Sequence, residues 1–186
     1  VRDTPVLGLD GGHCEVAYNN VRVPKENLLG PRGEGFLIAQ RRLGPGRIFH
    51  CMRWLGQAQR AFDLMCRRAN ERIAFGTPLA DKQSIQNMIF DTAAEIQASR
   101  LLTLEAAHKM DQGDPARIEI GRIKVVGAQM LHNAIDRAIQ VHGAKGLTPD
   151  TPLDRMYRHA RAARLYDGPD EVHKWSVAKQ ILRQYR

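Results

Sequence analysis

The spacing of apolar residues changes once along the chain. Before residue 30 they fall in short alternating stretches, Cys14-Glu15-Val16-Ala17-Tyr18 and Val21-Arg22-Val23, which read as strands with a turn at Asn19-Asn20. Two such strands are too little for an independent sheet, so they must pack on helices or belong to a larger sheet. Gly30-Pro31-Arg32-Gly33-Glu34-Gly35 closes this region, and nearly everything after it reads as helix. Phe36 to Leu43 predicts a short helix that Gly44-Pro45-Gly46 should kink or restart. From Arg47, one face is marked at three- and four-residue steps by Ile48, Cys51, Leu55, Ala58, Phe62, Met65, Ala69 and Ile73. A further pattern carries Ile85, Met88, Ile89, Ala93, Ile96, Leu101, Leu104 and Ala107 and ends near Asp111-Gln112-Gly113. The next begins at Asp114-Pro115, read as an acidic cap followed by proline in the first turn, and carries Ile118, Ile123, Val126, Met130, Ala134, Ile135 and Ile139. A last short helix should start at Gly168-Pro169-Asp170-Glu171, where two acids complement the exposed amides of its first turn.

Long helices with one broad apolar face and short connections make an antiparallel bundle. The expected architecture is therefore mainly α: residues 1–30 are a short β fragment and residues 31–186 a four-helix-bundle domain. Small residues at 56, 58, 121, 127 and 128 should let helices approach closely, while Gly76-Thr77-Pro78 and Gly143-Ala144-Lys145-Gly146 have more backbone freedom than a simple bundle turn requires.

Composition removes several function classes. The 186 residues are 43% hydrophobic, too apolar for intrinsic disorder. Three widely spaced cysteines support neither a disulfide framework nor a four-cysteine zinc site, and the scattered histidines, His50 among them, form no recognised metal motif. No apolar run approaches the length of a membrane span. The net charge of +8, with basic clusters at Arg41-Arg42, Arg67-Arg68 and Arg158 to Arg161, favours an anionic partner. Acids interrupt the basic surface and no nucleic-acid reader motif appears, so no specific nucleic acid is expected.

Five segments in order carry a family resemblance: Asn20-Val21-Arg22-Val23-Pro24-Lys25-Glu26-Asn27, Gly33-Glu34-Gly35-Phe36, Arg72-Ile73-Ala74-Phe75-Gly76-Thr77-Pro78-Leu79, Gln140-Val141-His142-Gly143-Ala144, and Leu165-Tyr166-Asp167-Gly168-Pro169-Asp170. Together they resemble the carboxy-terminal part of an acyl-coenzyme A dehydrogenase, in the branch with aspartate where the catalytic base is usually glutamate. The resemblance implies that residues 1–30 are trailing strands of a middle β domain, and that FAD binds between that domain and the helical one. It further implies α,β-dehydrogenation of an acyl-CoA thioester to a trans-2-enoyl-CoA. Asp167 would be the base, with Arg47 beside it as an active-site and substrate-binding residue and Tyr166 lining the acyl pocket. Cofactor contacts would come from Arg72, Phe75, Gln83, Gln140, Gly143, Ala144 and Pro169, the Gln140 segment reaching across a subunit interface.

Each assignment has a plainer counterpart. Asp167 suits a helix cap, Arg47 a snorkelling side chain, Tyr166 and Phe75 core packing, and Arg72 a helix end. Aspartate also reaches about 1.5 Å less far than glutamate, so the pocket must bring the substrate closer. An alkyl α-proton further requires a strongly polarised thioester carbonyl. By resemblance the chain forms a homodimer or homotetramer and passes electrons to an electron-transfer flavoprotein. It would reside in the cytoplasm of a bacterium or the mitochondrial matrix of a eukaryote. The alternative is a non-catalytic, oligomeric helical interaction domain of the same descent.

Overall fold

In a computed structural model, which describes residues 1–7 and 12–186, the chain divides into two compact units, Val1–Arg42 and Leu43–Arg186. In the first unit, β1 (Arg2–Asp3) pairs antiparallel with β2 (Cys14–Glu15), and a single 3-10 turn covers Lys25–Asn27. The strand expected at Val21-Arg22-Val23 does not form: a strand needs a ladder partner, and Val21 and Val23 lie 63% and 68% exposed. None of the described residues of this unit is buried.

The second unit holds the core, and the mainly helical fold matches expectation. Helix α1 (Gly35–Glu71) begins in the first unit, and α2 (Gln83–Asp111), α3 (Arg117–His142), α4 (Leu153–Ala162) and α5 (Asp170–Arg183) follow. Helix α1 does not break at Gly44-Pro45-Gly46; Pro45 lies inside it. Proline there forfeits one backbone hydrogen bond. The start of α3 also differs from expectation. Ala116, in a left-handed conformation (φ 45°), is the capping residue, and Asp114 Oδ1 accepts the Ala116 amide at 2.8 Å, capping a turn rather than the helix. Helix α4 went unanticipated because its sequence is mostly polar, with only Leu153 and Ala160 buried.

Helix α3 is the central element and packs against α2, α4 and α5. Lys109–Glu119 and Arg137–Glu95 ion pairs, the latter at 2.8 Å, set α2 antiparallel to α3. Lys124 opposite Asp170 and Gly121 against Val177 do the same for α5. Cys51 Sγ meets the Ile123 carbonyl at 3.4 Å, and one turn on Trp54 lies over Gly127, so α1 and α3 run parallel. A Cβ at 127 would sit 3.3 Å from Trp54 Cε3, which is the close approach the sequence foreshadows. Helix α2 turns a different face inward from the one predicted. Its buried stripe includes Thr92, Ser99 and Thr103, whereas Leu101 and Leu104 are 57% and 51% exposed. The threonine hydroxyls are satisfied within the helix, bonding the Met88 and Ser99 carbonyls at 2.7 Å, so their burial leaves no unpaired donor.

Candidate active site

Helix α4 ends at Ala162, and the chain turns through Leu165 and Tyr166 before α5 starts at Asp170. Two consecutive positive φ angles make this turn, 55° at Asp167 and 103° at Gly168. Aspartate tolerates the left-handed region better than most residues, and glycine is required next: a Cβ at 168 would lie 2.9 Å from His173 Nε2. Strained backbone of this kind persists only where its surroundings hold it.

The Asp167 carbonyl is held from two helices. Arg47 donates to it through Nε at 3.0 Å and Nη2 at 2.8 Å, and His173 Nε2 lies 3.0 Å away. Arg47 therefore grips the backbone of Asp167 and not its carboxylate. Burial pushes the Arg47 guanidinium below its usual pKa, an effect opposed by the nearby Asp167 charge. His173 is likewise held below the ordinary imidazole value by burial, with its bond to the Asp167 carbonyl acting the other way. The Asp167 carboxylate points to α1, where Oδ2 lies 3.1 Å from His50 Nε2 and the side chain retains 19% exposure. His50 packs on Tyr166 and Trp54 with ring centroids 4.8 and 5.8 Å away, and Trp54 Nε1 donates to the Tyr166 hydroxyl at 2.9 Å. Burial raises the Tyr166 phenol above its usual range. Tyr166 thus forms part of the wall beside Asp167 and contributes no charge to it.

Beneath the turn, Asp170 fixes the start of α5. Its carboxylate meets Arg164 Nε at 2.6 Å through Oδ2 and Lys124 Nζ at 3.5 Å through Oδ1; the Lys124 and Asp170 side chains are each 1% exposed. Burial lowers the Lys124 pKa and the Asp170 charge opposes that shift. Sequence reasoning missed His50, Trp54, Lys124, Arg164 and His173 as site residues. A usable signal was present in one case: positions 47, 50 and 54 lie on one helical face, so a helix carrying Arg47 to the site brings His50 and Trp54 with it.

The residues proposed for the cofactor are elsewhere in the domain. Arg72, Phe75 and Gly76 belong to a hairpin made by β3 (Ile73–Ala74) and β4 (Thr77–Pro78), which follows α1 directly. Phe75 and Gly76, its two central residues, have φ of 54° and 80°, the pattern of a type I′ turn. A phenylalanine rarely adopts positive φ, and this one is 98% exposed, so strained backbone displays an aromatic ring to solvent. Arg72 and Gln83 are exposed beside it. Gln140 lies in the last turn of α3, and Gly143 and Ala144 lie in a 3-10 helix, Gly143–Leu147, all three exposed. Because α1 and α3 are parallel, both segments lie at the same end of the bundle, opposite Asp167. Arg47 and Glu71 are about 36 Å apart along α1, and Lys124 and Gln140 about 24 Å apart along α3. Of the residues expected at the cofactor, only the half-buried Pro169, which precedes α5, adjoins Asp167.

This distal end fits a dinucleotide in its chemistry. An exposed arginine supplies planar donors for a pyrophosphate, the displayed aromatic ring a stacking face, and the Gly143 segment accessible backbone. Arg68 Nε and Thr77 Oγ1, flanking the hairpin, are buried without a hydrogen-bond partner among the described residues. Those residues contain no cluster of metal-ligating side chains and no helix long and apolar enough to cross a membrane.

Comparison with known proteins gives a consistent result. Residues 33–182 match the sequence pattern of the acyl-CoA dehydrogenase C-terminal domain. The probable acyl-CoA dehydrogenase FadE2 of Mycobacterium tuberculosis is 53% identical over 98% of this chain, which spans 46% of that relative. The structure of a candidate acyl-CoA dehydrogenase from Mycobacterium abscessus superposes with a TM-score of 0.95 at 42% identity, covering 100% of this chain and 47% of the other. Butyryl-CoA dehydrogenase of Megasphaera elsdenii superposes with a TM-score of 0.83 at 32% identity, covering 89% and 43%. The chain thus spans less than half the length of these relatives.

Proposed function

This chain belongs to the acyl-CoA dehydrogenase family of flavin-dependent oxidoreductases, and on that premise we propose that it is the carboxy-terminal part of an enzyme converting an acyl-CoA to its trans-2-enoyl-CoA, with Asp167 as base. The observation that carries the reading is the convergence on Asp167: a strained backbone held by Arg47 and His173 presents a partly exposed carboxylate beside an aromatic wall. In the reaction, the Cα–H bond breaks and its proton passes to the Asp167 carboxylate. The released electron pair forms the double bond as hydride leaves Cβ. Bound FAD supplies the hydride acceptor.

Arg47 and His173 serve as positioning residues, since their donors bond the Asp167 carbonyl. Their grip removes the backbone freedom of Asp167 and so fixes where its short side chain starts. Tyr166 and Trp54, joined by a hydrogen bond, would wall the acyl pocket on one side of the carboxylate. Arg72, Phe75, Gly76, Gln83, Gln140, Gly143 and Ala144 would hold FAD. Their placement opposite Asp167 supports assembly: a second subunit presents its distal end to the first subunit's Asp167 end. Helix α2 displays Phe90, Leu101 and Leu104, 73%, 57% and 51% exposed, as apolar surface for such contact. The physiological oxidant would be an electron-transfer flavoprotein.

The test is a single-turnover measurement of flavin reduction in the complete flavoenzyme, using saturated acyl-CoAs from butyryl-CoA to palmitoyl-CoA. Asp167→Asn should keep its FAD and lose about 10²–10⁴-fold in reduction rate. Reduction at the parent rate would remove Asp167 as base, and failure of every acyl-CoA to reduce the parent flavin would remove the dehydrogenase reading.

A further inference from the structure

His50 is the polar side chain nearest the Asp167 carboxylate that the family resemblance does not account for. It lies on α1 one turn beyond Arg47 and faces the same turn. Its two nitrogens meet chemically different groups: Nε2 is 3.1 Å from Asp167 Oδ2, and Nδ1 is 2.5 Å from Arg53 Nη2. A guanidinium only donates hydrogen bonds, so Nδ1 must present its lone pair to Arg53. The ring proton therefore sits on Nε2 and is donated to Asp167. An imidazolium would turn an Nδ1–H against the Arg53 donors, and the Nδ1–H tautomer would clash in the same way while turning the Nε2 lone pair toward a carboxylate oxygen. With both nitrogens occupied, His50 has no lone pair left to take a substrate proton. The contacts with Tyr166 and Trp54 hold the ring, and the Trp54–Tyr166 hydrogen bond ties those two residues together.

We propose that His50 is a positioning residue for the reaction, a neutral imidazole protonated at Nε2 that donates to Asp167 Oδ2 and so sets the direction of the second carboxylate oxygen. The proposal rests on the reading of Asp167 as the base. Arg47 and His173 fix the Asp167 backbone, but a carboxylate on a fixed Cα still turns about two side-chain bonds. The Arg53–His50–Asp167 chain removes that remaining freedom. A displacement of about 1 Å in a reacting group costs on the order of 10²-fold in rate, which makes this constraint consequential for a residue with short reach.

The experiment compares His50→Gln, His50→Leu and Asp167→Asn in the complete flavoenzyme, with flavin content and melting temperature recorded for each. The substrate is the saturated acyl-CoA that reduces the parent fastest. His50→Leu should lower the limiting rate of flavin reduction by about 10²-fold with little change in the half-saturating substrate concentration. His50→Gln, whose amide N–H reaches close to the place of Nε2–H, should recover most of that loss. A role in packing alone predicts the reverse order, because leucine fills apolar space better than glutamine. Equal rates in His50→Leu and the parent, or equal losses in the two His50 variants, would overturn the proposal while loss of activity in Asp167→Asn left the base assignment standing. Parent-like reduction in Asp167→Asn would instead overturn the base assignment and this role with it. Nitrogen-15 NMR of the imidazoles supplies a readout independent of turnover. The resonance lost in His50→Gln should be that of a neutral Nε2–H tautomer, and an Nδ1–H or doubly protonated ring would overturn the proposal.

Discussion

The two ends of the helical unit carry the same kinds of residue in opposite states. At the Asp167 end, arginine, histidine, aspartate and tyrosine find partners within the chain, and Lys124 and Asp170 face each other out of reach of solvent as an ion pair at 3.5 Å whose Nζ and Oδ1 make no hydrogen bond. At the hairpin end, Arg72, Phe75, Gln83, Gln140 and Ala144 are all exposed, and Phe75 holds an unfavourable backbone conformation while burying nothing. Charged and polar groups paired with one another in this way build a rigid surface to work against. Strain and exposure with no internal return indicate groups whose partner lies outside the chain. One end thus reads as a finished half-site, and the other as an offer to a cofactor and a second subunit.

The sharpest way to break this contrast is Asp170→Ala. It leaves the Lys124 ammonium buried without its counter-charge, and folding stability should fall by about 3–5 kcal/mol, measured by chemical denaturation. Lys124→Met should cost much less, since Asp170 keeps Arg164.

Cys51 tests how closed this end is. Burial pushes its thiol up from 9.0 to about 12, while the nearby Lys124 charge acts the other way. The unfolded chain releases that proton first, so the native state binds more protons between these two values and stability falls as pH rises. The slope should be about 1.4 kcal/mol per pH unit above roughly pH 9, and the Cys51 contribution should disappear from denaturation curves of Cys51→Ala. Below pH 9 the contribution is fully present.

The smallest stability effects belong at the hairpin end. Arg72→Ala and Phe75→Ser should change folding stability by no more than about 0.5 kcal/mol, because both side chains are exposed. In the complete flavoenzyme the same changes should weaken FAD retention and subunit association, measured by flavin release and by mass in solution. Unchanged retention in Arg72→Ala would remove it from the cofactor site.

The bundle was legible in the sequence because three- and four-residue spacing survives any detail of packing. Cys51, Leu55, Ala58, Met65 and Ala69 are buried as their period predicts, and Gly127 accepts Trp54 against its backbone. Where apolar residues outnumbered the buried positions, the pattern misled. Leu101 and Leu104 face outward while Thr92 and Thr103 face in, because a hydroxyl that bonds its own helix can be buried cheaply and period alone does not choose between adjacent stripes. Pro45 shows the converse, a local breaker carried through a long helix.

Sequence alone determined the helical class, the family and the short list containing Asp167, Arg47, Tyr166 and Arg72, since each follows from local spacing or from ordered motifs. Only the tertiary structure decided what those residues touch. It turned Arg47 to the Asp167 carbonyl, brought His50 to the carboxylate across 117 residues of chain, and put the two sets of candidate site residues at opposite ends of the bundle. Contacts between residues far apart in sequence depend on helix direction and side-chain rotamer, and neither is written in the spacing of any one segment.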